Sequence, residues 1–363
     1  MKKYVTLGEV CSKGSSNIAQ KDIEHNNGSY GIYGASGYIK DVDFYHQDKP
    51  YIAVVKDGAG IGRTMLLPEK TSVIGTMQYL IPNDMICVEY LYYAVTYMNL
   101  AKYFSGATIP HIYFKDYQKE KLPLLTIEEQ RKISDSLQKI DRLIELCGSI
   151  LEKIDVLVKS RFVEMFGNFV YDKDRWSKCL VGDVAGTVDP QPSHRTPPVE
   201  ANGIPYIGIA ECNYQTRTID FASARKVGNN VLQEHIARYN LHIGDFIIGK
   251  IGTIGKPFFV PAERTYALSA NTVLIQPDTK RIAPYYLFSI FQSEYMDRII
   301  DAEKKSTSQP AFGIQKVRAI EIPLPPLALQ EQFAAFVEQT DKSKFIVFNI
   351  KKNIRRVRLY DQF

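Results

Sequence analysis

The 363 residues carry 45 Lys plus Arg against 40 Asp plus Glu, a net charge of +5, and 45% of positions are hydrophobic. That length suits two domains of ordinary size plus connecting helices, whereas the mild basicity does not by itself mark a nucleic-acid binder. No apolar run reaches the length of a membrane span, and the opening Met1-Lys-Lys-Tyr-Val-Thr-Leu-Gly-Glu9 lacks the uninterrupted apolar region of a signal peptide, so a cytoplasmic protein without membrane contact is expected.

Taken in order, the elements recur about 200 residues apart. Thr6-Leu-Gly-Glu-Val10 is answered by Leu180-Val-Gly-Asp-Val184, and the apolar run Tyr51 to Lys56 by Asp245 to Lys250. A glycine turn follows each run, Asp57-Gly-Ala-Gly-Ile-Gly-Arg63 and Ile251-Gly-Thr-Ile-Gly-Lys256, then a short strand stopping at Pro68 or Pro261. Gln78 to Pro82 is matched by Val273 to Pro277, and the tyrosine-rich stretches Tyr90 to Phe104 and Tyr285 to Ile300 have the apolar spacing of amphipathic helices. Ser105 to Pro110 pairs with Ser306 to Pro310, and Leu122 to Gln130 with Leu324 to Gln332. So many landmarks in one order indicate a duplicated unit.

Each copy closes in a heptad pattern. Ile133, Leu137, Ile140, Ile144, Cys147, Leu151, Ile154 and Val158 alternate four and three apart, with charged residues filling most positions between them. The second copy has Phe333, Phe336, Thr340, Ser343, Val347, Ile350, Ile354 and Val357, where Thr340 and Ser343 weaken the seam. Two such strips with no globular segment inside predict helices that pack on each other. A helix from Thr126 to Phe166 would span about 60 Å and act as a spacer between two heads.

The Pro-Leu entry to each helix ending in Glu-Gln, the run Lys159-Ser-Arg-Phe-Val-Glu-Met-Phe-Gly167, the phrase Tyr33-Gly-Ala-Ser-Gly37 and the paired glycine turns resemble the DNA-specificity subunit of Type I restriction-modification systems, across essentially the whole chain. The resemblance implies an α+β fold with two target-recognition heads in pseudo-repeat, each followed by a long helix, the two helices forming an antiparallel coiled coil. The corresponding boundaries are 1–122 and 169–322 for the heads, and 123–168 and 323–363 for the helices. It further implies a non-catalytic subunit that reads a bipartite double-stranded DNA target, one half-site per head. Its partners would be two modification subunits using S-adenosylmethionine and, where present, two restriction subunits using ATP and Mg; the chain itself would hold no cofactor.

Motifs suggesting chemistry in the chain itself are weak. Gly58-Ala-Gly-Ile-Gly62 resembles a cofactor-cradling loop, but such a loop should open a helix, and Arg63-Thr-Met-Leu-Leu-Pro-Glu69 reads as a strand. The Asn/Asp-Pro-Pro-aromatic phrase of an amino-methyltransferase is missing. Asp278 with Glu303-Lys-Lys305 matches a nuclease cleft only in spacing, and neither the five cysteines nor the six histidines show metal-ligand spacing. A fused methyltransferase-endonuclease is therefore disfavoured, while an interaction protein that uses its coil without reading DNA stays open.

DNA contact needs long polar side chains on rigid supports. The paired turns offer Lys56 and Arg63 in one head, Lys250 and Lys256 in the other. The loops before the coil add Thr108, His111 and Lys115, then Lys304, Lys305, Ser308 and Gln309. Lys351, Lys352, Arg355, Arg356 and Arg358 crowd the last helix, facing phosphate, an acidic partner or solvent. The insert Asp189-Pro-Gln-Pro-Ser-His-Arg-Thr-Pro-Pro198 has no counterpart in the first head, so the half-sites should differ, with the gap between them set by helix length.

Overall fold

The computed structural model describes residues 3–106, 110–172, 174–193, 195–306 and 311–360. The chain divides into two compact units, Met1–Leu146 with Lys351–Phe363, and Cys147–Ile350. Each unit holds one head and part of both long helices, Ile127–Phe166 (the central helix) and Leu327–Tyr360 (the terminal helix).

The first head contains strands β1 (Lys3–Thr6), β2 (Cys11–Ser15), β3 (Tyr30–Gly34), β4 (Gly37–Val42), β5 (Tyr51–Val55), β6 (Thr64–Leu67), β7 (Ser72–Val73), β8 (Met77–Pro82) and β9 (Lys121–Leu124). One sheet has the order β2-β8-β5-β6 and another β4-β3-β7, while β9 returns to pair with β1. Strand β5 is buried along its whole length, as its unbroken apolar run requires. Ile52 and Val54 face the helix Val88–Tyr97 through Tyr90, Leu91 and Ala94. Tyr51, Ala53 and Val55 face the other way, packing with Val73, Met77 and Tyr79.

The second head repeats this plan with β10 (Lys178–Leu180), β11 (Ala185–Val188), β12 (Ile204–Ile207), β13 (Cys212–Asn213), β14 (Thr218–Ile219), β15 (Lys226–Val227), β16 (Phe246–Gly249), β17 (Pro257–Phe259), β18 (Ala267–Leu268), β19 (Thr272–Pro277) and β20 (Glu321–Pro323). Its sheets run β11-β19-β16-β17 and β15-β12-β18, and β20 pairs with β10. The order of the first head is thus reproduced strand for strand, with β13 and β14 added. The second tyrosine-rich stretch forms two helices, Pro284–Phe291 and Glu294–Ser306, where its spacing suggested one; in the first head Asn99, at φ 48°, ends the helix and a 3-10 turn follows.

A buried glutamine fixes the start of each long helix to its head. Gln130 accepts from the Cys87 amide at 2.8 Å and donates to the carbonyls of Leu125 at 2.9 Å and Met85 at 3.0 Å. Gln330 accepts from the Ala283 amide at 2.9 Å and donates to the Pro325 carbonyl at 2.8 Å. The hydroxyls of Tyr90 and Tyr286 donate to the carbonyls of Pro123 and Pro323. These equivalences correct the repeat register read from sequence: Gln130 matches Gln330, not Gln332, and Leu122 matches Ile322, not Leu324. The Pro-Pro pair at 325–326 invited the two-residue slip. The boundaries 122/123 and 322/323 fall inside β9 and β20, which are sheet strands rather than linkers.

In the second unit the long helices are antiparallel, since Phe162 and Phe166 meet Phe333 with ring centroids 5.4 and 5.5 Å apart while Asp155 pairs with Lys344 farther along. Phe162, Phe166 and Phe333 belong to the same core as Phe246 and Tyr286, each such ring contributing about 1.5–3 kcal/mol by leaving water. On the central helix Leu137 and Cys147 are buried, and Ile133, Ile140, Ile144, Leu151, Ile154 and Val158 half-buried, as the heptad requires. The terminal helix departs from the expected seam. Phe333, Thr340 and Val347 lie on it, but the intervening places belong to Val337 and Lys344, not to Phe336 and Ser343. Phe336 is half-buried beneath the Arg161 guanidinium, Ser343 is exposed, and Ile350 is 47% exposed. Lys344 occupies a seam place because its aliphatic stem packs while its ammonium meets Asp155. Ile354 is half-buried, and the Val357 side chain lies outside the described residues.

Candidate nucleic-acid interface

Both glycine turns join antiparallel strands, β5 to β6 and β16 to β17, so neither opens a helix as a cofactor loop would. They are built alike. The amides of Gly62 and Gly255 donate to the carbonyls of Val55 and Gly249, at 2.8 and 3.0 Å, with φ of +79° and +76°. A Cβ at either position would collide, with the Ala101 backbone nitrogen in one head and the Ile300 side chain in the other, so only glycine lets the turn lie against the following helical segment. Arg63 and Lys256 stand directly after these glycines and are exposed. Lys56 and Lys250 are also equivalent, their carbonyls accepting from the amides of Ile112 and Phe312 at 3.0 and 2.9 Å.

The side chains in these matched places meet different partners. In the first head Asp57 joins two candidates, accepting from Lys56 at 2.5 Å and lying 2.7 Å from His111 Nδ1. Burial pushes the Asp57 carboxyl up, but the hydrogen bonds from Lys56 and His111 outweigh it and hold it below the usual range. In the second head Lys250 Nζ sits 3.0 Å from Asp189, both side chains 12% exposed. Asp189 arrives on the insert that the first head lacks, and Arg238 pins that insert by donating to the carbonyls of Asp189 and Pro190, each at 2.9 Å. Lys250 is thereby drawn inward, away from the surface role its spacing suggested. Lys256 keeps its exposure and lies 6.0 Å above the Tyr214 ring.

The remaining candidates scatter. Lys115 is exposed over Tyr113, 5.5 Å from the ring. Lys304 pairs with Asp301 at 3.2 Å and Lys305 is exposed on the same helix. Thr108, Ser308 and Gln309 lie outside the described residues. The structure thus brings Lys56, Asp57 and His111 together in one head and Lys250 and Asp189 in the other. Sequence reasoning passed over both carboxylates. Asp57 could have been found from its place between a lysine and a glycine, but Asp189 is remote in sequence and left no such sign.

The nuclease-like spacing does not form a carboxylate cleft: Glu303 pairs with Lys316, and Asp278 accepts from the Lys280 amide at 3.1 Å. Among the described residues no group of His, Cys, Asp and Glu could hold a metal ion, and no helix is long and apolar enough to cross a membrane. All five cysteines are free; burial pushes the thiols of Cys11 and Cys212 up to about 12, so they are inert packing groups.

The type I restriction modification DNA specificity domain matches residues 2–156 and again 173–356. The chain is 23% identical over 331 residues to the type I restriction enzyme MjaVIII specificity subunit of Methanocaldococcus jannaschii, covering 85% of this chain and 76% of that one. It is 20% identical over 260 residues to the EcoBI specificity subunit of Escherichia coli, covering 65% and 54%. A provisionally named MjaX specificity subunit, also from M. jannaschii, is 29% identical over 130 residues, 34% of this chain and 30% of its own length. The chain therefore spans about a third to a half of the length of two of these curated relatives. Its fold is similar to the crystal structure of the type I restriction-modification S subunit from M. genitalium, with a TM-score of 0.63 at 14% identity, covering 99% of this chain and 94% of that one. With the specificity domain matched twice over nearly all its length, the chain belongs to the type I restriction modification DNA specificity family.

Proposed function

We propose that the chain is the non-catalytic specificity component of a type I restriction-modification complex, each head reading one half of a split, asymmetric double-stranded DNA target. The observation that carries this is the pair of equivalent glycine turns, each presenting a basic residue directly after a left-handed glycine, Arg63 in one head and Lys256 in the other. Rigid turns of this kind suit phosphate contacts that position a head. The carboxylates Asp57 and Asp189, reaching the equivalent lysines by different routes, give the heads different surroundings and hence different half-sites.

The long helices carry the second part of this role. In the second unit Val156, Leu157 and Val163 on the central helix and Phe345 and Ile346 on the terminal helix are exposed apolar side chains, a surface suited to protein docking. Two modification subunits would occupy such surfaces and bring S-adenosylmethionine; restriction subunits, where the system has them, would bring ATP and Mg.

The test is methylation mapping. The chain is co-expressed with its modification subunit in a methylation-free host, and modified adenines are read by long-read sequencing. The expected result is one split, non-palindromic motif. No modification, with the complex confirmed by co-purification, would overturn the reading and favour a coil-mediated interaction protein.

A further inference from the structure

Among the described residues the hairpin β13–β14 is the one supplement to the strand order of the second head. It falls at a definite place. Strands β12 and β15 pair as β3 and β4 do in the first head, but residues 35 and 36 alone connect β3 to β4, whereas residues 208–225 connect β12 to β15.

This hairpin reaches two sites within its unit. At its tip the Asn213 side chain accepts from the amides of Gln215 and Thr216, each at 3.0 Å, and closes the turn. Arg217 then takes φ 53°, a left-handed conformation uncommon for a residue with a side chain. That conformation presents its guanidinium to both long helices: it pairs with Asp341 of the terminal helix and lies 4.0 Å from Asp155 of the central helix. Asp155 also pairs with Lys344, so four charges from hairpin and helices form one network. In the same turn Tyr214 stacks edge-on against Phe258 at 5.4 Å and underlies Lys256, donating to the Lys256 carbonyl at 3.4 Å. Between hairpin, sheet and helices lies a cleft of about 380 Å³ lined by Tyr214, Arg217, Phe258, Tyr285 and Asp341. Across that space a charge network rather than close packing makes the connection.

We propose that this hairpin is a strap that fixes the bearing of the second head on the helix pair, with Arg217 as a positioning residue for the gap between the two half-sites. The inference rests on the reading of the chain as a DNA-specificity component. A slack strap would let the head dock at neighbouring gap lengths while leaving the bases it reads unchanged, because Arg217 faces the helices.

The experiment uses the full chain assembled with its modification subunits and DNA carrying both half-sites at the native gap and at gaps one base pair shorter and longer. Wild type is expected to methylate the native gap most strongly. Arg217→Gly, which suits the left-handed backbone while removing the guanidinium, should reduce the preference for the native gap by about threefold or more, the scale of one lost ion pair. The half-site sequences should be unchanged, and Arg217→Lys should restore part of the preference. Asp155→Asn, at an exposed position, provides a second variant should Arg217→Gly fold poorly. Unchanged gap preference in a folded variant, or an equal loss at all gaps, would overturn the strap. Failure of wild type to methylate any split site would instead overturn the functional reading on which it rests.

Discussion

At the scale of single residues, Gln130 and Gln330 are the side chains on which the rest of each unit depends. Each is fully buried and spends its amide on backbone groups that no strand or helix would otherwise satisfy. Replacing Gln330 with alanine leaves the Ala283 amide and the Pro325 carbonyl without their partner, so a loss of about 2–4 kcal/mol is expected from two orphaned groups. Gln332→Ala, at the exposed position with which the sequence pairs Gln130, should stay within about 0.5 kcal/mol of wild type. Denaturant titration of the two variants side by side checks this, and equal effects would refute the register assigned to the repeat. Gln130 was legible as part of the Glu-Gln lead into its helix, whereas Gln330 was passed over for Gln332, and the burial of neither was legible, because a glutamine at a helix start ordinarily faces water.

At the scale of elements, the two glycine turns were legible in outline and misleading in detail. A glycine-rich run between two apolar strands stopped by proline specifies a hairpin, and hairpins they are. Which lysine stays at the surface was not legible, since that depends on a carboxylate delivered from elsewhere in the chain. The consequence is a contrast within one head. Lys256→Ala should weaken DNA binding by the assembled complex about uniformly across sequences and reduce the slope of log affinity against log salt by about one, the signature of one phosphate contact. Lys250→Ala should leave that slope alone and instead destabilise the head, because it removes the half-buried ion pair that ties the strand end to the Asp189 insert. Binding isotherms over a series of salt concentrations separate the two, and a salt slope altered by Lys250→Ala would show that Lys250 reaches phosphate.

At the scale of the whole molecule, the helix pair carries the question of spacing. Removing one heptad from the central helix between Ile133 and Val158, with the matching heptad from the terminal helix, takes away about 10 Å of rise. The gap in the methylated motif should then shorten by about three base pairs at 3.4 Å each, with both half-sites unchanged. Mapping the motif of that variant is the measurement, and an unchanged gap would refute helix length as the ruler.

The amino-acid sequence by itself determined the duplication, the two heptad strips and the strand-turn-strand plan of each head, because periodicity and turn chemistry are local and survive in a linear string. Only the tertiary structure decided the true register of the repeat, the replacement of Phe336 and Ser343 by Val337 and Lys344 on the seam, and the pairing of Lys250 with Asp189. Each of these turns on a partner far away in the chain: the prolines' carbonyls for the tyrosines, Asp155 for Lys344, the insert for Lys250. A charged side chain reads as surface until the opposite charge that lets it leave water is placed beside it.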